Sequence, residues 1–147
     1  MLILFGSLLL VAASAAQARP APSWEDPFQG ARFKSVPASA VALRPKDCDG
    51  VEYNKCTFVA SVDFDGDGRR DRAYMANAGS TGIIVVSFAN QKRKPMVVAS
   101  FRDRLGGDSY ISRDRTDPKT IVFVQPEASM AEIRLIAGKP RMHWIGD

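Results

Sequence analysis

Thr57-Phe-Val-Ala-Ser-Val-Asp-Phe64 alternates strictly, with Phe58, Ala60, Val62 and Phe64 on one side and Thr57, Val59, Ser61 and Asp63 on the other. Side chains repeating at every second residue share one face of a strand, so this octet reads as a β-strand with one face in a core. The tract that follows, Asp65-Gly-Asp-Gly-Arg-Arg-Asp71, is rich in turn formers, and a second short β-like run occupies Arg72–Asn77. A strand, a tight acidic loop and a strand make a hairpin, and the same rhythm continues downstream. Ala78-Gly-Ser-Thr-Gly82 turns into Gly82–Phe88, whose Ile83-Ile-Val-Val86 is the most apolar run, and Asn90-Gln-Lys-Arg-Lys-Pro95 turns into Met96–Phe101. Lys92-Arg93-Lys94 reads as the solubilising tip of that second turn. A polar segment, Arg102–Lys119, interrupts the meander before Thr120–Val124, Ala131–Ala137 and Arg141–Ile145, the last two joined by Gly138-Lys-Pro140 as a hairpin. No long amphipathic helical period competes. The expected fold is all-β: a small antiparallel sheet or meander, curled as a barrel or stacked as a sandwich to bury one face.

Upstream of this hairpin the character changes twice. Residues 19–47 are rich in Pro, Ala and Ser and read as an irregular lead-in to a β-domain at 48–147, with a short element around Phe28–Phe33. Residues 1–18 hold 14 apolar residues and no charged side chain, ending in Ala16-Gln-Ala18. An apolar run closed by an A-x-A pattern reads as a signal peptide cut before Arg19, although its start carries no Lys or Arg. The run is short for a bilayer span of roughly 20 residues, and Pro20 and Pro22 end any helix there. The product is expected to be periplasmic or secreted from a bacterium, without a membrane span once the leader is removed. Cys48 and Cys56, the only cysteines, fit an oxidising compartment and read as one disulfide. Closing so small a loop contributes roughly 2–3 kcal/mol on the chain-entropy model.

Composition narrows the class of function without choosing one. The 129 residues after the leader carry every charge and the whole net +4, a length that fits one domain with a real core. A multidomain enzyme, a membrane-spanning bundle and a long coiled coil are excluded. Both signs run through the chain, which is unlike a dedicated nucleic-acid binder.

The chemistry is concentrated at Asp63-Phe-Asp65-Gly66-Asp67-Gly68-Arg-Arg-Asp71, where carboxylates fall at positions 1, 3, 5 and 9 of a nine-residue loop. Four like charges packed this closely repel one another. A hard cation that takes six to eight oxygens removes that cost, and Ca²⁺ suits a flexible all-oxygen cage. Alternation turns Asp63, Asp65 and Asp67 to one side, Gly68 allows a turn with positive φ, and the Arg69 carbonyl is the natural seventh-position ligand. Arg69, Arg70 and Arg72 are expected to point outward. An EF-hand is excluded, because its position 12 is Tyr74 here rather than Glu and the flanks are β-like. The competing reading is a plain polar hairpin turn, which favours Asp and Gly without requiring four acids in ligand register.

Val62-Asp-Phe-Asp-Gly-Asp-Gly-Arg-Arg-Asp-Arg-Ala-Tyr74 resembles the hydrophobic–D-x-(D/N)-G-D-G-x-x-D–hydrophobic stretch of the FG-GAP/VCBS class of repeats, found in integrin-type propellers and many secreted bacterial proteins. The resemblance covers about fifteen residues and implies calcium at Asp63, Asp65, Asp67 and Asp71. A propeller is excluded, since blades of roughly 40–50 residues must repeat and one loop is present. Ile133-Arg-Leu-Ile-Ala-Gly-Lys-Pro-Arg-Met-His-Trp-Ile-Gly-Asp147 looks like the ending of small exported bacterial proteins with one such loop, a group of uncharacterised function. Leu135 and Ile136 stand where that ending has aromatics.

The remaining candidates are weaker. Arg-Asp-Arg at 70–72, 102–104 and 113–115 reads as solvated surface, or as a basic face for an anionic partner. His143, the single histidine, lacks a framed nucleophile. Leu105-Gly-Gly-Asp-Ser-Tyr-Ile111 reads as a bulged connection or a recognition loop. These features lead to an exported, non-enzymatic calcium-binding β-domain, monomeric, with a structural ion and a protein or glycan partner in the cell envelope. Some small calcium-loop envelope proteins look like lysozyme inhibitors in fold. The alternative is therefore a periplasmic inhibitor of a lysozyme-like cell-wall hydrolase, inserting Gly106–Ile111. A glycan hydrolase using Asp103 and Asp108 is the least supported reading.

Overall fold

The computed structural model describes residues 21–44, 57–106, 108–125 and 129–145. The leader read in residues 1–18 and the Cys48–Cys56 pair lie outside them. Among the described residues nine strands form: β1 (Ala40–Ala42), β2 (Val59–Val62), β3 (Asp71–Ala78), β4 (Thr81–Ser87), β5 (Met96–Phe101), β6 (Tyr110–Arg113), β7 (Ile121–Val124), β8 (Met130–Ile136) and β9 (Lys139–Ile145). No helix occurs among the described residues, so none is long and apolar enough to cross a membrane. The strands build two antiparallel sheets, one ordered β1-β3-β4-β5 with β2 on the same edge of β3 as β1, the other ordered β6-β7-β8-β9. The fold is the all-β arrangement that the alternation implies, in its sandwich rather than its barrel form.

Parity along each strand explains what meets between the sheets. Phe58, Ala60, Val62 and Phe64 are buried together with Ala73 and Met75 of β3, Ile84 and Val86 of β4, Ile121 and Phe123 of β7 and Ile133 of β8. Phe101 and Phe123 meet at 4.6 Å between ring centroids, one ring from each sheet. Val98 and Ala99 both join this core because the register slips beside them, Ile84 facing Ala99 while Val85 faces Val97. Such a bulge inserts one extra residue and turns two neighbours to one side.

Why, then, is β4 apolar on both faces? Ile83 and Val85 point away from the other sheet yet are fully buried, in a second cluster with Ala76, Ala78 and Val97, against Phe28, Phe33 and Val36. The segment read as a lead-in is therefore a cover for the outer face of the first sheet. It also straps the two sheets: Glu25 bridges Met142 on β9, and Phe28 bridges Ser100 on β5. On the opposite side Ile111 N donates to Thr57 O at 2.9 Å, joining β6 to the entry of β2.

Three expectations need correction. The lead-in 19–47 contains β1, paired from Ala40↔Ala78 to Ala42↔Ala76. The polar segment Arg102–Lys119 contains β6, which lacks an apolar rhythm because only Ile111 in it is buried. The last hairpin turns at Ala137–Gly138 rather than at Gly138–Pro140, with φ of 49° and 73° and Ile136 paired to Lys139. Two successive positive φ values match the twist of the flanking strands.

Burial on both faces of β4 makes a direct prediction. Ile83→Ala and Ile84→Ala should each cost about 2–5 kcal/mol in urea unfolding. A value under about 0.5 kcal/mol for Ile83→Ala, the usual result at a surface position, would show that the 28–40 segment does not cover that face.

Candidate metal centre

Val62 closes β2 directly opposite Asp71, which opens β3. Residues 63–70 are thus the loop of an antiparallel hairpin. Asp71 lies on the side of β3 that carries Ala73 and Met75, so its carboxylate points toward the end of the core and is only 2% exposed. Both of its oxygens are occupied: Oδ2 accepts from Phe64 N at 2.9 Å, and Oδ1 from Ala89 N at 2.8 Å. A buried carboxylate is tolerable only when hydrogen-bonded, and bonds to a charged acceptor are stronger than neutral ones. The Phe64 ring enters the core, which by alternation turns Asp63 and Asp65 to the other side.

The acidic side chains divide into two groups. Asp63, Asp65 and Asp71 each offer a carboxylate oxygen, and these oxygens lie within 4.8 Å of one another. This triad can hold a metal ion. Asp67, expected as a ligand, is outside that converging set: it is exposed, and its Oδ1 accepts from Arg69 N at 2.8 Å in a local turn. Gly66 and Gly68 flank it with φ of 74° and 83°, the left-handed region that glycine enters without steric cost. Asp63 accepts from Gly68 N at 3.2 Å through both oxygens, and Asp65 Oδ1 accepts from Asp67 N at 3.2 Å. Arg69, Arg70 and Arg72 are exposed, as expected of cations around an acidic cage.

Two other cations reach the loop, and sequence reading missed both. Arg93, read as part of a solubilising tip, places Nη1 2.8 Å from Asp65 Oδ2 and lays its guanidinium over the Phe88 ring at 3.9 Å. Lys119 lies over Gly66, its Nζ 3.0 Å from where a Cβ would stand. Their turns are pinned in place, Arg93 N donating to Asn90 O at 2.9 Å and Asp63 N to Pro118 O at 2.9 Å. The only signal for Arg93 was strand register, which brings β4's exit beside β3's entry; nothing near residue 93 reveals it.

The Pro118 turn is itself built on two carboxylates. Asp114 Oδ1 accepts from Thr116 Oγ1 and N at 2.7 Å and from Asp117 N at 2.8 Å. The Thr116 hydroxyl, with the two backbone amides, holds Asp114 below the ordinary carboxylate value of 3.8. Burial pushes Asp117 upward, but the Lys119 amide, the Thr120 hydroxyl and Arg134 outweigh it and leave it lowered too.

The other candidates are placed as follows. His143 Nδ1 lies 3.0 Å from Ser23 O, and the ring faces Trp24 at 5.6 Å. Within Gly106–Ile111, Ser109 and Ile111 are buried, and Asp108 is exposed. Leu105 anchors that segment by exchanging hydrogen bonds with the buried Asn77 at 2.8 and 3.0 Å. Asp103 is exposed, and its carbonyl accepts from Gly82 N at 2.9 Å.

Two measurements check this geometry. Asp71→Asn should cost about 2–3 kcal/mol even with chelator present, because an amide cannot accept from two backbone donors on both of its polar atoms. A loss confined to calcium-containing buffer would show that Asp71 acts only through a metal. Lowered folded-state pKa values contribute stability above the unfolded carboxylate range, which is lost as pH falls through the folded values. Unfolding free energy should therefore drop below about pH 4, and Asp114→Asn should flatten that acid limb. An unchanged limb would contradict the assignment.

No protein-family model, curated protein or solved structure matches this chain.

Proposed function

We propose that this protein is an exported, non-enzymatic β-domain that takes up Ca²⁺ on Asp63, Asp65 and Asp71, the ion stiffening the β2–β3 hairpin. The observation that carries the reading is the convergence of three carboxylates within 4.8 Å at the mouth of one hairpin. The donors are all oxygen, which suits a hard cation and disfavours a soft one. The loop also supplies backbone flexibility, since Gly66 and Gly68 take positive φ on either side of Asp67. Arg93 offsets part of the negative charge through Asp65, so calcium and Arg93 compete for one oxygen. The leader-like residues 1–18 support export, and the exposed Arg69, Arg70 and Arg72 offer a basic rim to a protein or glycan partner in the cell envelope.

The test is thermal unfolding in EGTA, in Ca²⁺ and in Mg²⁺. An ion bound to the native state at a hundred times its Kd contributes about 2.7 kcal/mol, enough to raise Tm by several degrees. The rise should grow with free calcium, be smaller with magnesium, and vanish in Asp63→Asn. Identical melting curves with millimolar Ca²⁺ and with EGTA would reject calcium at this site.

A further inference from the structure

A cleft of about 440 Å³ opens between the 26–34 segment, the start of β5 and the turn joining β8 to β9. It lies outside the acidic hairpin, and its lining divides sharply by chemistry. Phe28, Phe33, Met96 and Pro140 give it an apolar floor, while Lys34, Lys139 and Arg141 stand around it. The lining includes one acid, Asp26, already paired with Arg32 at 2.8 Å. Lys34, Lys139 and Arg141 have no ion pair among the described residues. No neutral polar side chain lines the cleft.

We infer that this cleft binds a single-chain anionic amphiphile, a hydrocarbon chain ending in one carboxylate or phosphate. The volume falls within the roughly 300–1,000 Å³ of small-molecule sites. A neutral sugar would leave the charge of Lys34, Lys139 and Arg141 without a counter-charge. A simple inorganic anion would engage the three cations and leave Phe33, Met96 and Pro140 uncovered. The Arg32 guanidinium already lies 4.7 Å over the Phe28 ring, so an acyl chain over Phe33, Met96 and Pro140, with its head among Lys34, Lys139 and Arg141, satisfies both halves of the lining. The N-terminal cover makes the site possible, because Phe28 and Phe33 come from it and Met96 from the sheet beneath.

The experiment is calorimetric titration of the protein with decanoate and with decyl phosphate, below their micelle concentrations. Controls are decyl maltoside, with the same chain and a neutral head, and hexanoate, with the same head and a shorter chain. Saturable one-to-one binding of either decyl anion, at least tenfold tighter than decyl maltoside, is expected, and the tighter of the two identifies the head group. Each buried methylene is worth about fourfold in affinity, so hexanoate should bind at least tenfold more weakly than decanoate. The double variant Lys139→Gln/Arg141→Gln, folded by circular dichroism, should lose at least fivefold for the anions and leave decyl maltoside unchanged. Phe33→Leu keeps an apolar floor and should retain binding within severalfold. Absence of saturable binding, equal affinity for the neutral surfactant, or no dependence on chain length would overturn the inference.

Discussion

The Asp71 carboxylate lies buried at the end of an apolar core, and among the described residues no cationic side chain is hydrogen-bonded to it. Two backbone amides hold it, one from Phe64 in the acidic loop and one from Ala89 just beyond β4. In a medium that solvates charge poorly, those donors replace water, and the loops must stay where the donors are. The Phe64 bond fixes which residues of the loop face the core. Asp63 and Asp65 are thereby turned outward and gathered beside Asp71. The Ala89 bond draws in the β4–β5 turn, and Arg93 comes with it. The Asp63–Pro118 bond then ties in a turn of the second sheet. One buried carboxylate ties two connections together, and the Asp63 amide adds the third at the same end of the sandwich.

How much of this was legible beforehand depended on whether neighbours in sequence were also neighbours in space. The β2–β3 hairpin was legible because a period of two and a glycine-punctuated turn are local signals. The strand cores of β4, β5, β7, β8 and β9 followed from the same reading. The double-sided burial of β4 was visible as four consecutive aliphatics, but its cover was not, since Phe28, Phe33 and Val36 have no common period. Strand β6 has a single buried residue and therefore no rhythm to read. At the acidic loop, spacing identified all four aspartates but not their division. Asp67 leaves the set because the glycines on both sides take positive φ and its carboxylate finds the Arg69 amide. Arg93 and Lys119 come from turns far along the chain, and only the folded register delivers them.

The three Arg-Asp-Arg triplets show why a repeated motif need not be a repeated function. Asp71 is buried and holds two amides, Asp103 is exposed, and Asp114 forms the hub of a turn. Local composition is identical, and strand position decides the fate of each carboxylate. In the first triplet Arg70 precedes β3 and Arg72 lies within it, in the second both arginines lie in a connection, and in the third Arg113 closes β6. Charge counted along the chain therefore says little about the field each aspartate experiences.

The strap of residues 25–28 has a kinetic consequence. Its partners are Ser100 and Met142, both distant in sequence, and contacts of that separation are costly in chain entropy and slow to form. During synthesis the strap emerges early, yet Met142 must appear and β9 must pair before Glu25 can bridge it. Phe28, Phe33 and Val36 can dock as soon as β5 has paired, whereas Glu25 waits for β9. The strap is therefore anchored to the first sheet well before its link to the second can form, and that link comes with the last strand.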